Sequence, residues 1–169
     1  NTFRRLFGEG SFNAAFVPSY SKELVKGKIK SKNFANDVFN FLALSLIILV
    51  VLVELFMPFF VSLIAPGFRL DPQKYSLAIQ LTKITFPFIL FVSLASFFSA
   101  ILNSHNKFAA ASAAPIILNI LMIGVLIFGK ILDEKLVVYL SYAVTFAGFT
   151  QAIFLLIFVK KYFQPRIKL

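Results

Sequence analysis

Four long apolar runs separated by short polar ones set the frame of this chain. They are "VFNFLALSLIILVVLVELFMPFFVSLIA" over 38–65, "SLAIQLTKITFPFILFVSLASFFSAIL" over 76–102, "FAAASAAPIILNILMIGVLIF" over 108–128 and "LVVYLSYAVTFAGFTQAIFLLIFV" over 136–159. Each meets or exceeds the ~20 residues that cross ~30 Å of hydrocarbon as a helix. The pattern therefore predicts four transmembrane helices over those ranges. The two longest runs must tilt, bend or extend past the lipid. Pro58, Pro87 and Pro115 are expected kinks or ends, because each lacks a backbone donor. The connectors "SKELVKGKIKSKNFAND" (21–37), "PGFRLDPQKY" (66–75), "NSHNK" (103–107) and "GKILDEK" (129–135) are too short for a soluble domain.

The stretch before them mixes its signals. In "RRLFGEGSF", Arg4, Arg5 and Glu9 stand among Phe3, Leu6, Phe7 and Phe12. Residues 1–20 are expected to be the end of a further helix. Arg5 and Glu9 lie four apart and can pair on one helix face, which leaves Arg4 without that partner. An unpaired guanidinium at membrane depth calls for a watery cavity or an anion, and its planar fork suits phosphate. The alternative is a helix end at the interface with snorkelling arginines. The residues alone leave both open.

Composition places the chain among integral membrane proteins. It has 169 residues, of which 59 % are hydrophobic and 14 % charged, too little polar surface for a soluble domain of that size. With no cysteine there is neither a disulfide scaffold nor a thiolate metal site. One histidine makes no zinc or proton-relay cluster, and no cofactor is expected. The net charge of +10 is not a nucleic-acid signature, because the basic residues sit between apolar runs. Ten of them, Lys22, Lys26, Lys28, Lys30, Lys32, Lys107, Lys160, Lys161, Arg166 and Lys168, fall on one side of the alternating topology. Four fall on the other: Arg69, Lys74, Lys130 and Lys135. The positive-inside rule makes the ten-residue side cytoplasmic, with the 21–37 connector, the 103–107 turn and the C-terminal tail. The chain starts at Asn1 with neither an initiator Met nor a signal-peptide pattern, and reads as a fragment of a longer protein.

The remaining polar residues offer little chemistry. Lys83 either snorkels to the outer headgroups or faces a cavity, and Glu54 lies near the outer interface or is neutral or paired inside the bundle. Ser93, Ser96, Ser99, residues 109–114, Ser141, Thr145, Gly148 and Thr150 suit close helix packing. Asn119 and Gln151 should face other helices or water. No nucleophile–base pair, paired carboxylates, P-loop or metal-ligand spacing occurs, so the chain is expected to be no enzyme, with no catalytic or metal-binding residues.

The first stretch, "NTFRRLFGEGSFNAAFVP", closely resembles the second-helix motif N-x-x-R-R-x-F-A-E-G-A-F-x-x-A-F-V-P of the MurJ (MviN) family of bacterial lipid II flippases, with Gly8 and Ser11 in place of alanines. "APGF" at 65–68, "LTKITFPFIL" at 81–90, "SLASFFSAILNSHNKF" at 93–108 and "AAPIILNILMIG" at 113–124 resemble that family's later segments, in the same order. The resemblance implies an all-α, polytopic transmembrane helix bundle. This chain would supply the end of helix two through helix six of a two-bundle exporter fold, so that residues 1–169 form a partial N-terminal bundle. It implies Arg4 as a cationic cavity residue for a diphosphate-linked lipid, with Arg5, Glu9 and Asn1 lining or supporting the same region. The implied activity moves lipid II, undecaprenyl-diphosphate bearing a disaccharide-pentapeptide, from the inner to the outer leaflet of the bacterial cytoplasmic membrane by alternating access. The implied partners are lipid II, membrane lipids and the remaining helices of the full-length protein, with no nucleic acid. The alternatives are a related exporter of other lipid-linked oligosaccharides or drugs, and a non-transporting scaffold that binds anionic lipid. Glu54 has no counterpart in the family pattern.

Overall fold

The computed structural model describes residues 11–129 and 136–166, and the described secondary structure is helical throughout. Seven α-helices come in order: α1 (Ser11–Val25), α2 (Lys28–Leu55), α3 (Met57–Ile64), α4 (Pro72–Thr85), α5 (Phe88–Ser104), α6 (Phe108–Gly129) and α7 (Leu136–Val159). A 3₁₀ turn, Pro66–Leu70, links α3 to α4. Four spans are long and apolar enough to cross a membrane: Lys28–Leu55, Pro72–Ser104, Phe108–Gly129 and Leu136–Val159.

Local chemistry explains the breaks. Gly27 adopts φ 125°, a backbone open to glycine, and the chain reverses there between α1 and α2. Most of the polar 21–37 connector is thus helical, and α2 begins at Lys28, well before its apolar run. The run over 38–65 is divided at Phe56. Pro58 cannot continue α2, since its ring would meet the Glu54 carbonyl, but it fits the first turn of α3, where no N–H is needed. Pro87 does the same between α4 and α5. Phe86 and Pro87 keep helical dihedrals, so the two helices form one bent span of 33 residues. Pro115 is not an end, because α6 continues through it to Gly129. Between α5 and α6, Asn106 takes φ 58°, which asparagine tolerates better than most residues. At the start of α4, the Asp71 carboxylate accepts from the Gln73 and Lys74 amides, both at 3.1 Å.

The core centres on α5, whose buried residues include Ala95, Phe97, Phe98, Ala100, Ile101 and Leu102. The Phe97 ring lies 5.1 Å from Phe16 of α1, 5.8 Å from Phe39 of α2 and 5.5 Å from Phe163 beyond α7, centroid to centroid. Small residues on α7, Ala147, Gly148 and Ala152, let it pack closely on α5. By contrast α2 and α6 leave most of their apolar surface exposed, including Phe41, Ile48, Val51, Ile120 and Ile127, as helices facing lipid or further protein do. A smaller core at the far end joins Val53, Met57 and Val61 to Tyr75, Ile79 and Phe86.

Candidate functional site

Asn1, Arg4, Arg5 and Glu9, the residues that the sequence singles out, lie outside the described residues. The structure shows α1, which follows them in the chain, and its surroundings. Phe12 and Phe16 of α1 stack with centroids 5.3 Å apart, and both meet Phe97. This seam fixes the rotation of α1, and Asn13 then lines a half-open cavity of ≈ 340 Å³ shared with α5, α6 and α7.

The cavity is polar without being charged. Ser96, Ser99 and Asn103 of α5, Ser112 of α6 and Gln151 of α7 line it with Asn13, and no ionisable side chain among the described residues does. Three buried oxygens on its wall have no hydrogen-bond partner: Asn13 Oδ1, Ser96 Oγ and Asn103 Oδ1. Gln151 is 5 % exposed and Ser96 7 %, so both turn into the protein rather than to lipid. Pro115 and Ala111 line the same cavity, and Pro115 has no N–H to offer the Ala111 carbonyl. Sequence alone points to Ser96 and Ser99 as packing residues and does not single out Asn13 or Asn103. The signal for Asn13 is its position four residues past Glu9, on the face of the expected 1–20 helix that also carries Arg5. Asn119, expected to avoid lipid, lies on the exposed side of α6.

One end of the bundle gathers the lysine-rich connector, the 103–107 turn and the tail. The Tyr20 hydroxyl and His105 Nε2 are 3.2 Å apart, and the His105 ring stacks on Tyr162 at 4.2 Å. Burial among these rings holds the His105 pKa below its ordinary value. The Arg166 amide donates to Asn36 Oδ1 at 2.8 Å, and Asn40 Nδ2 donates to the Arg166 carbonyl at 3.0 Å. The residues after α7 are therefore strapped back onto α2, with Phe163 fully buried beneath.

The opposite end holds a second polar cluster. The Tyr75 hydroxyl donates to the Pro58 carbonyl at 2.8 Å and lies 2.7 Å from Ser62 Oγ. Arg69 Nε donates to the same Ser62 Oγ at 2.9 Å. The Lys74 amide, bonded to Asp71 Oδ1, holds that carboxyl below the usual carboxylate range, and the Lys74 ammonium 3.2 Å from Oδ2 adds to this. On the adjoining membrane segment, Glu54 is half-buried, its Oε1 has no hydrogen-bond partner, and it feels the positive charge of exposed Lys83. Among the described residues no cluster of His, Asp and Glu is arranged to hold a metal ion.

Comparison with known proteins covers nearly the whole chain, including the residues before Ser11. A family model described as "Lipid II flippase MurJ" matches residues 1–168. A "Probable lipid II flippase MurJ" of Rickettsia prowazekii (strain Madrid E) is 40 % identical over 162 residues, which is 95 % of this chain and 32 % of that protein. The protein of the same description from Rhizobium tropici is 41 % identical over 156 residues, 89 % of this chain and 29 % of its own. The "Lipid II flippase MurJ" of Burkholderia cenocepacia is 32 % identical over 152 residues, 89 % of this chain and 30 % of its own. The chain spans about a third of the length of these relatives.

Proposed function

The chain belongs to the MurJ family of lipid II flippases, and from that membership we propose that it forms part of a transporter for lipid-linked peptidoglycan precursor. The relatives are named as flippases, which are transporters and not enzymes. The full-length protein moves lipid II from the inner to the outer leaflet of the bacterial cytoplasmic membrane, and no bond is broken. The observation that carries this reading is the Asn1–Pro18 motif, with two arginines and a glutamate in an apolar stretch of sequence, inside a family match that runs over nearly every residue.

Arg4 presents its guanidinium to the diphosphate of the lipid as a bidentate donor. Glu9, four residues past Arg5, pairs with it and keeps the cationic face ordered. Asn1 lies one turn before Arg4 and Arg5 and lines the same region. The polar headgroup travels through a cavity between this bundle and a second one supplied by the rest of the protein, while the prenyl tail stays in lipid. The two bundles rock about the bound headgroup to expose it first to one leaflet and then to the other. The lysine-rich end of the bundle faces the cytoplasm.

The test is complementation of a flippase-depleted bacterium by the full-length gene. Arg4→Ala should abolish growth or reduce it severely with normal membrane insertion. Arg4→Lys, which keeps charge and loses the fork, should rescue in part. Arg5→Ala should be milder. Normal growth of the Arg4→Ala strain at normal protein level would remove Arg4 from the site.

A further inference from the structure

The cavity between α1, α5, α6 and α7 has a chemistry that the cationic motif does not explain. Its unpartnered buried atoms, Asn13 Oδ1, Ser96 Oγ and Asn103 Oδ1, are all oxygens. An amide oxygen only accepts, so whatever satisfies it must bring N–H or O–H donors. Leaving such oxygens dry costs about 1–3 kcal/mol each, and a buried polar atom without a partner is uncommon. Phosphate and carboxylate groups are acceptors when ionised and cannot fill this role. A bare cation would be attracted by oxygens, but among the described residues no carboxylate lines the wall to neutralise it.

Size narrows the choice. At the ~30 Å³ that a water takes up in the liquid, ≈ 340 Å³ holds a group of roughly ten heavy atoms, about one sugar ring. Neutral donors and acceptors are spread along about two turns of α5, from Ser96 to Asn103, and across the cavity to Gln151. The Phe88 and Phe108 rings offer apolar surface to the C–H faces such a ring carries. The cavity occupies the half of the bent span nearest the 103–107 turn, the half on the lysine-rich side.

We propose that this cavity is a hydrogen-bonding subsite for a neutral, hydroxyl- and amide-bearing sugar group of the lipid-linked substrate, a proposal that rests on the flippase reading above. Anion and sugar are then recognised by nearby parts of the chain: the diphosphate by Arg4, the sugar by Asn13. Gln151, with a donor and an acceptor on one side chain, sets the orientation of the ring.

The experiment uses the full-length protein in nanodiscs and two probes, undecaprenyl diphosphate and the same lipid carrying a single N-acetylhexosamine. The wild-type protein should bind the sugar-bearing lipid more tightly. Asn13→Leu and Gln151→Leu should weaken that binding roughly three- to tenfold, the loss expected for one hydrogen bond, and leave the sugar-free lipid within about twofold. Ser99→Leu, which fills the cavity and keeps both amides, should do the same. If Asn13→Leu lowers folded yield, Ser96→Ala supplies the measurement with the least change of shape. Equal losses for both lipids, or no loss for either, would overturn the subsite and leave a cavity that holds only water. Wild-type protein that binds neither lipid overturns the flippase reading together with the subsite, whereas good binding with silent variants overturns the subsite alone.

Discussion

Gly148 shows how little room the contact between α5 and α7 leaves. A Cβ placed there would lie 2.5 Å from Phe88 Cδ2 and 3.2 Å from Phe91 Cβ. The Phe88 ring can turn, but the Phe91 Cβ moves only with its backbone. Gly148→Ala should therefore cost about 1–3 kcal/mol, the usual range for overpacking, and Gly148→Leu more. Thermal unfolding of the full-length protein in detergent reads this directly, and an unchanged midpoint for the leucine variant would contradict the packing. One turn earlier on α7, the Thr145 hydroxyl donates to the Ile84 carbonyl at 2.5 Å. That carbonyl lies at the bend where Pro87 interrupts the helical ladder. Thr145→Val keeps the shape and removes the donor, so a loss of about 1–2 kcal/mol is expected from the stranded carbonyl. The small and hydroxylated residues of "SYAVTFAG" could be read as packing residues from sequence alone. Their two separate jobs could not, because only the structure places Phe88 and Ile84 opposite them.

At the scale of elements, hydropathy locates the spans and local stereochemistry edits their ends. The apolar content of 38–65 says nothing of Phe56, where the break is forced by Pro58 against the preceding turn. Nor does it reveal that α2 begins in polar sequence, since Lys28, Lys30 and Lys32 are good helix formers whatever their hydropathy. Pro115 carries the opposite lesson: the helix continues past an internal proline that lies, with Ala111, beside a polar cavity. The junction of α1, α5 and the tail carries a pH dependence. His105 stacks on Tyr162 and touches Tyr20, and burial keeps its folded pKa below the ordinary 6.5. Above that value both folded and unfolded chains are neutral there, and the contribution is intact. As pH falls below it, the unfolded chain takes up the proton first, and stability drops until the folded imidazole protonates too. The thermal midpoint should fall between about pH 7.5 and about pH 5.5. His105→Phe, which keeps the ring stack and cannot titrate, should flatten that part of the profile, and identical profiles would dismiss the histidine as its source.

For the whole molecule, the lysine and arginine asymmetry becomes a statement about one end of the bundle. Contacts from Tyr20 to His105, His105 to Tyr162, and Asn36 to Arg166 bring the connector, the turn and the tail together. Cysteines introduced at Lys28 and Lys107 in the full-length protein should be shielded from an impermeant thiol reagent in intact cells. One at Gln73, beside the Asp71 cap at the other end, should be labelled. Labelling at Lys28 from outside would reverse the orientation. This much of the architecture is legible in the sequence because charge and hydropathy act along the chain. The cavity is not, since Asn13, Ser96 and Gln151 are far apart in sequence and meet only when three helices have chosen their rotations.

The strap at the end of the chain sets where slack begins. Counted from the last apolar residue of α7, everything after Val159 would be free tether. Phe163 is instead sunk in the core, and Arg166 is moored by its backbone to two asparagines of α2. Seven extended residues would reach roughly 23–25 Å, and that length is withdrawn from any linker to the rest of the protein. If a second bundle rocks against this one, as proposed above, it must draw its play from beyond Arg166. Its pull is then delivered to α2 through Asn36 and Asn40, not to the end of α7.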